Sequence, residues 1–277
     1  MKRIILVAAI LSPATVASAE PLIIDNGRLF ITARINGVET EALLDSGAEA
    51  SLFDPKLATA AKFGTGEKVM MKGSGGEQEV LVVPDVKIEA LGQTIASTEV
   101  IVMDMTDLST RLIKRPTQAI VGREVFDAAP IRIDLAKSDV RALGKDEEPQ
   151  GVKLPLTEQG GIETVPVTLG SRQAQAVVDF GNGTGVMIGK ELAAEMGLKP
   201  VGKMKGGGIG GEIQRNVVVL PELTLAGHTF RDVQASVDET SSRAELNVGT
   251  PILKHFVVTA DFKGRVAWFE PVEGAGN

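Results

Sequence analysis

The sequence predicts a mostly-β protein of two pseudo-symmetric lobes, each with one short helix, and a cleft between them. Three observations carry this expectation: an internal duplication, many short β-rich runs bounded by turn residues, and one helix signal in each copy. GVETEALLDSGAEASLFDPKLATAAKFG (37–64) has a counterpart in SRQAQAVVDFGNGTGVMIGKELAAEMG (171–197), which aligns Asp45 with Asp179. Each copy continues with a Gly-rich stretch, KGSGGEQEV (72–80) and KGGGIGGEIQ (205–214), then VVPDVKIEALGQT (82–94) and VLPELTLAGHTF (219–230). An apolar-apolar-Gly element or a close variant follows, AIVG (119–122) and LNVG (246–249), and a strand-like close over 129–143 and 256–269. Five matches in one order are better explained by duplication than by chance.

Within this plan LFITARI (29–35), EALLD (41–45), VLVVPDVKI (80–88), TEVIVMD (98–104) and IRIDL (131–135) read as strands. In the first copy Asp54 caps a helix that starts at Pro55 and stops before Gly64. Its partner lies in GKELAAEMG, closed by Gly197. The stretch 144–161, GKDEEPQGVKLPLTEQGG, is rich in charge, Pro and Gly and reads as the connection between lobes 20–143 and 162–277. Asp146, Glu147 and Glu148 read as a solvated face of it, and Trp268 as a packing residue of the closing strand.

The first 19 residues have the pattern of a cleavable export signal: Lys2 and Arg3, an apolar run from Ile4 to Leu11, and Ala17-Ser18-Ala19. Cleavage is expected after Ala19, giving a periplasmic or secreted protein. The apolar run is too short for a hydrocarbon core that needs ~20 residues, so no stable membrane insertion is expected. Loss of Lys2 and Arg3 from the 29 basic residues leaves 27 against 36 acidic ones, about −9 net. That balance disfavours nucleic acid or an anionic membrane as partner. The chain has no cysteine, which excludes disulfides and thiolate chemistry. With only His228 and His255, both read as ordinary polar residues, neither a histidine metal cluster nor a Ser-His triad is well supplied. No metal and no cofactor are expected.

In ALLDSGAE (42–49) an apolar run ends in a carboxylate, a hydroxyl and a glycine. In isolation Asp-Ser-Gly is turn chemistry, because Asp and Ser bond their own backbone and Gly accepts positive φ. In a duplicated chain, two equivalent loops can meet at the pseudo-dyad and bring Asp45 and Asp179 into one cleft. Two like charges so close cannot both ionise comfortably, so the pair would share one proton and titrate as a unit. Such a pair supplies a general base for an attacking water and a general acid for a peptide carbonyl.

These residues resemble the aspartic proteases, and more closely the bacterial retropepsin-like group, over nearly all of the chain after the leader. Leu43-Leu44-Asp45-Ser46-Gly47-Ala48 is similar to the family's catalytic loop, Gly73, Ser74, Gly75 and Gly76 to a flap tip, and Ile120-Val121-Gly122 to the segment behind the loop. The resemblance implies catalytic roles for Asp45 and Asp179, supported by Ser46, Gly47, Ala48, Gly181 and Asn182, with Ser46 bonding across to the other lobe's loop. It implies a second flap at Gly208, Ile209 and Gly210. It further implies an extended polypeptide substrate and a monomer that fuses the two halves retroviral enzymes build from two chains. The chain has no tyrosine, so Ile209 or neighbouring backbone would have to cover substrate.

Copy two departs from the pattern: Val177-Val178-Asp179-Phe180-Gly181-Asn182 has Phe180 where Ser or Thr is expected. A phenyl ring cannot make the cross-lobe bond and has to be buried; the Asn182 side chain is a candidate donor to a carboxylate. Two outcomes stay open, an asymmetric working endopeptidase or a degenerate module that only binds peptide. Because Ala48 has no donor for the acid, a mildly acidic optimum is expected. Gly206, Gly208 and Gly211 satisfy G-x-G-x-x-G, but they lead into a strand-like run rather than a helix, which argues against a dinucleotide site. Asp179-Phe180-Gly181 spells a kinase triplet without the rest of the kinase set.

Overall fold

The computed structural model describes residues 20–239 and 245–272; the expected leader, residues 1–19, lies outside them. Two eight-stranded sheets repeat one strand order, the first using residues 23–121 and the second residues 157–248. In each, a hairpin leads into the Asp loop, Arg28–Ile35 with Val38–Leu44 in lobe one and Ile162–Leu169 with Arg172–Val178 in lobe two. The apolar-apolar-Gly segments are the short strands Ala119–Val121 and Leu246–Val248, parallel to the strands that deliver the acids. A third, six-stranded sheet joins the lobes: Ile131–Asp134 of lobe one pairs antiparallel with Phe256–Asp261 of lobe two. Glu20–Pro21 lies at the edge of this sheet, on Asp139–Ala142 of its own lobe. Among the described residues no helix is long and apolar enough to span a membrane.

The alternation read in LFITARI follows the burial pattern, with Leu29, Ile31, Ala33 and Ile35 inside a core shared with lobe two. Both expected helices form. Pro55–Ala60 is capped by Asp54, whose side chain accepts from Lys56 N, and Lys190–Glu195 is its counterpart. Gly64 does not close the first helix: Lys62 takes the left-handed conformation at φ 50°, where lobe two has Gly197 at 65°. In both lobes the next amide reaches back five residues, Phe63 N to Ala58 O and Leu198 N to Ala193 O. Phe63 packs edge-on against Phe53, a contact that offsets the cost of a non-glycine residue there. Each lobe carries a further short helix after the apolar-apolar-Gly segment, Arg123–Ala128 and Thr250–Leu253, and lobe one adds a π-helical stretch, Leu108–Ile113.

The connection expected over 144–161 forms strands in its second half. Val152–Pro155 adds to the edge of the joining sheet against Val266–Pro271, and Thr157–Gln159 pairs with Ile162–Leu169. The cause is the apolar content of VKLPL: Leu154 packs on the core and Leu156 is buried in it. His228 and His255 stack on each other within lobe two, with Phe230 tilted against His228 and edge-on to His255, and Phe256 edge-on to His228.

Candidate active site

Two loops meet between the lobes. Asp45 follows the strand Val38–Leu44, with its amide held by Val121 O at 3.0 Å; Asp179 follows Arg172–Val178, held likewise by Val248 O at 2.9 Å. In each lobe three buried apolar residues at the strand end, Ala42-Leu43-Leu44 and Ala176-Val177-Val178, carry an acid to the lobe interface. A side chain at Gly47 would bring its Cβ to 2.8 Å from Asp179 Cγ, and one at Gly181 would collide with the Asp45 carboxyl. Each glycine is therefore the space in which the opposite lobe's acid lies, and the two carboxyls lie within reach of each other.

Of the two positions that follow the acids, Ser46 and Phe180, only Ser46 hydrogen-bonds across to the other loop through its side chain. Its buried hydroxyl donates to Val178 O at 2.6 Å and accepts from Phe180 N at 3.0 Å. Phe180 takes no reciprocal part; its ring is fully buried in the core that runs through both lobes. The lobes are further tied by Thr250 Oγ1, which donates to Gly27 O, and by Arg123, which donates to Gly161 O and faces Glu163 at 3.5 Å.

The hydrogen bonds on the two acids are unequal. Asp45 Oδ1 accepts from Gly47 N at 2.9 Å. Asp179 accepts from Asn182 N at 3.0 Å on Oδ1 and from Asn247 Nδ2 at 2.6 Å on Oδ2. The Asn182 side chain does not reach the carboxylate, contrary to the expectation for it. Its amide instead donates to Gly185 O and to Asn247 Oδ1, while its Oδ1 accepts from Thr184 N and Thr184 Oγ1. Because Thr184 N can only donate, the chain Thr184, Asn182, Asn247, Asp179 has one polarity, and an N–H faces the acid at its end. Ala48 offers only its backbone to the loop and packs on the apolar wall of lobe one.

Burial, and then the charge of Asp179, push the Asp45 carboxyl well above the usual carboxylate range, with only the Gly47 amide and Arg28 opposing. Arg28 is buried beside both acids, and burial pulls its guanidinium down against their attraction. A cavity of about 220 Å³ opens over the pair, lined by Arg28, Asp45 and Asp179 on its floor and by Ser74, Gly207 and Gly208 on its roof.

The roof is formed by two flaps. Glu67–Gly73 with Gly76–Ala90 makes the first hairpin, and Gly202–Gly206 with Ile213–Leu225 makes the second. Their tips interlock over the cleft: Gly75 N donates to Ile209 O at 2.9 Å, and a Cβ at Gly73 would come within 2.5 Å of that same oxygen. Gly76 and Gly210 sit against each other at φ 147° and 94°, so the tips need glycine both for space and for conformation. The G-x-G-x-x-G of lobe two is thus a flap tip. Ile209 covers the apolar side of lobe one.

Arg111, in the π-helical stretch of lobe one, holds the lobe-two flap. Its Nη1 donates to Gly207 O at 3.1 Å and its Nη2 to Gly208 O at 3.0 Å, while Asp107 fixes the guanidinium at 2.6 Å. Hydrogen bonds from a charged donor are worth about 1.5–3 kcal/mol. Arg111→Ala is expected to speed amide exchange several-fold in the lobe-two flap while amides of the joining sheet stay protected. Hydrogen exchange read by mass spectrometry checks this.

Three participants escaped sequence inspection. Asn247 had a signal, the polar residue inside LNVG at the place where AIVG has Ile120. Arg28 and Arg111 had none, because both come into play only through chain segments distant in sequence.

A duplicated β fold with paired acids at the lobe interface, each over the other loop's glycine, and glycine-tipped flaps above them, is the architecture of a single-chain, two-lobed aspartyl protease. The aspartyl protease family model matches residues 31–125 and 165–252, once per lobe and together over more than half of the chain. The chain belongs to the aspartyl protease family. No curated protein matches it at a significant level.

Proposed function

We propose that the protein is an exported aspartic endopeptidase in which Asp45 and Asp179 together activate a water against a peptide bond. The observation that supports this best is the unequal hydrogen bonding of the paired carboxyls. Asp179 accepts from two N–H donors, one of them at 2.6 Å, while burial favours the proton on Asp45. A pair holding one proton between them provides a base and an acid at once. Asp179 takes a proton from the attacking water, and Asp45 donates its own to the carbonyl oxygen as the tetrahedral carbon forms. Ser46 and the glycines keep the two loops in register, and the flaps cover an extended peptide by adding backbone hydrogen bonds to it. Phe180 fits this reading as well as it fits loss of function, because the single Ser46 hydroxyl already bonds both partners on the opposite loop.

The decisive test is cleavage of an unfolded protein mixture from acidic to mildly alkaline pH, beside Asp45→Asn and Asp179→Asn. A well-folded parent that cuts nothing at any pH favours a peptide-binding module instead.

The pH profile follows from the same bonds. Activity requires one proton on the pair, so it falls on the alkaline side as Asp45 loses its proton. The raised Asp45 holds the alkaline limb well above an ordinary carboxyl, in keeping with a mildly acidic optimum. Asn247→Leu removes the hydrogen bond to Asp179 Oδ2, of a kind worth about 1.5–3 kcal/mol. The variant's kcat is expected to fall by about tenfold to a hundredfold, which steady-state kinetics on one peptide measures.

A further inference from the structure

The duplication allows the two walls of the cleft to be compared position by position. Leu52 pairs with Ile120 as Met187 pairs with Asn247, and Phe30 pairs with Leu43 as Thr164 pairs with Val177. Val82 pairs with Ile101 as Val217 pairs with Ser236. One step further along the same strand faces, Val80 and Met103 of lobe one correspond to Arg215 and Asp238 of lobe two. In lobe one Phe30, Leu52, Val80, Met103 and Ile120 form a continuous buried apolar cluster. In lobe two the equivalent residues are Thr164, Met187, Arg215, Asp238 and Asn247. One wall is apolar, and the other carries a buried cation.

Arg215 lines the cavity over the paired acids with a side chain only 5 % exposed. Its nearest carboxylate oxygen, Asp238 Oδ1, lies 3.8 Å away, beyond hydrogen-bond length. Its Nη2 donates to Ser74 O at 3.4 Å, its Nη1 to the thioether sulfur of Met187 at 2.7 Å, and its buried Nε has no partner among the described residues. A guanidinium has five N–H donors arranged to match a carboxylate, and a buried one left short of acceptors costs free energy that a ligand can recover. Arg28, on the floor of the same cavity, adds a second buried cation whose one hydrogen bond among the described residues is to Asn26 O at 3.3 Å.

We infer that Arg215 is a specificity determinant that receives a substrate carboxylate, so the protein selects peptides with an apolar residue on one side of the scissile bond and Glu or Asp on the other. The inference rests on the peptidase reading for its scissile bond but not for its binding preference. An acidic side chain entering from the lobe-two side would take the free Nε–H and one Nη–H of Arg215, while the lobe-one wall accepts an aliphatic or aromatic side chain. Ser74, through its carbonyl, would couple the filled subsite to the tip of the lobe-one flap.

Two readouts test this separately. First, cleavage sites are mapped by mass spectrometry on a proteome-derived peptide library at pH 6, where glutamate is ionised. Second, peptides carrying Glu at the preferred position, and the same peptides with Gln, are titrated into Asp45→Asn and followed by fluorescence anisotropy. The expected results are a Glu/Asp preference on one side of the cut and at least tenfold tighter binding of Glu over Gln. Arg215→Met, which keeps the apolar bulk, is expected to lose that discrimination between Glu and Gln peptides, both in kcat/KM and in binding. If nothing is cut yet Glu peptides bind selectively and Arg215→Met abolishes the selectivity, the catalytic reading fails and the specificity assignment stands. Cleavage or binding indifferent to the acid, selectivity that survives in Arg215→Met, or no binding of any peptide overturns the assignment.

Discussion

Asp45→Asn is expected to abolish peptide cleavage and at the same time to stabilise the fold. The loss follows from the shared proton: an amide can neither give the acidic proton to the carbonyl nor hold the pair in its singly protonated state. A fall of at least about 10⁴-fold is the expectation if the pair supplies both acid and base, since each general acid–base contribution is about 10²–10⁴-fold. Asp179→Asn should fall as far, because the two acids act as one unit. The gain in stability follows from the raised pKa of Asp45, which burial causes first and Asp179 second. A carboxyl whose folded value lies above its unfolded one binds more protons in the folded state. Its contribution to stability is therefore complete at low pH and is lost as pH rises from the ordinary value of 3.8 through the folded value. The neutral amide escapes that loss. Thermal unfolding should show Asp45→Asn above the parent at neutral pH, with the difference shrinking towards pH 4. A folded Asp45→Asn that still cleaves at the parent rate removes the proposed mechanism. Equal melting temperatures at neutral pH would show that Asp45 is not held protonated.

Phe180→Ala is expected to be the most destabilising of the substitutions considered. The ring has no exposed surface and belongs to the core that continues from lobe one into lobe two. Truncation of a buried phenylalanine costs about 3–5 kcal/mol through lost burial and the cavity left behind. That is a large share of the roughly 5–15 kcal/mol that holds a typical domain folded. Denaturant unfolding should show the midpoint falling by that amount with little change in slope. Phe180→Ser would supply the hydroxyl expected from the resemblance but leave most of the same cavity, so it should be nearly as unstable and should not raise kcat. A Phe180→Ser protein as stable as the parent and more active would mark Phe180 as a lesion in the site. The opposite result would mark it as packing that lobe two acquired in exchange for a hydrogen bond Ser46 already makes.

The sequence alone determined the plan of this protein. The duplication, the strands, the capped helices, the two acids, the glycine-tipped flaps and the burial of Phe180 are set by local chemistry. Apolar alternation needs a sheet, Asp-Pro starts a helix, and a run such as KGGGIGG admits a tight hairpin that side chains would obstruct. Where it misled, a short-range rule met a longer-range contact. Gly64 was displaced as helix terminator by Lys62 because Phe63 reaches Phe53. The second half of the 144–161 connection was drawn into sheets by Leu154 and Leu156. The tertiary structure decided which donors touch which acid. Asn182 and Asn247 are 65 residues apart, and only the parallel pairing of Leu246–Val248 beside Arg172–Val178 sets Asn247 against Asp179. It decided likewise that Arg111 of one lobe clasps the flap of the other, and that Arg28 and Arg215 converge on one cavity. The physical reason is range: hydrophobic periodicity and turn chemistry act over a few residues and can be read along the chain. Hydrogen bonds and charges act over a few ångströms, and which residues come that close is fixed only when the sheets pair.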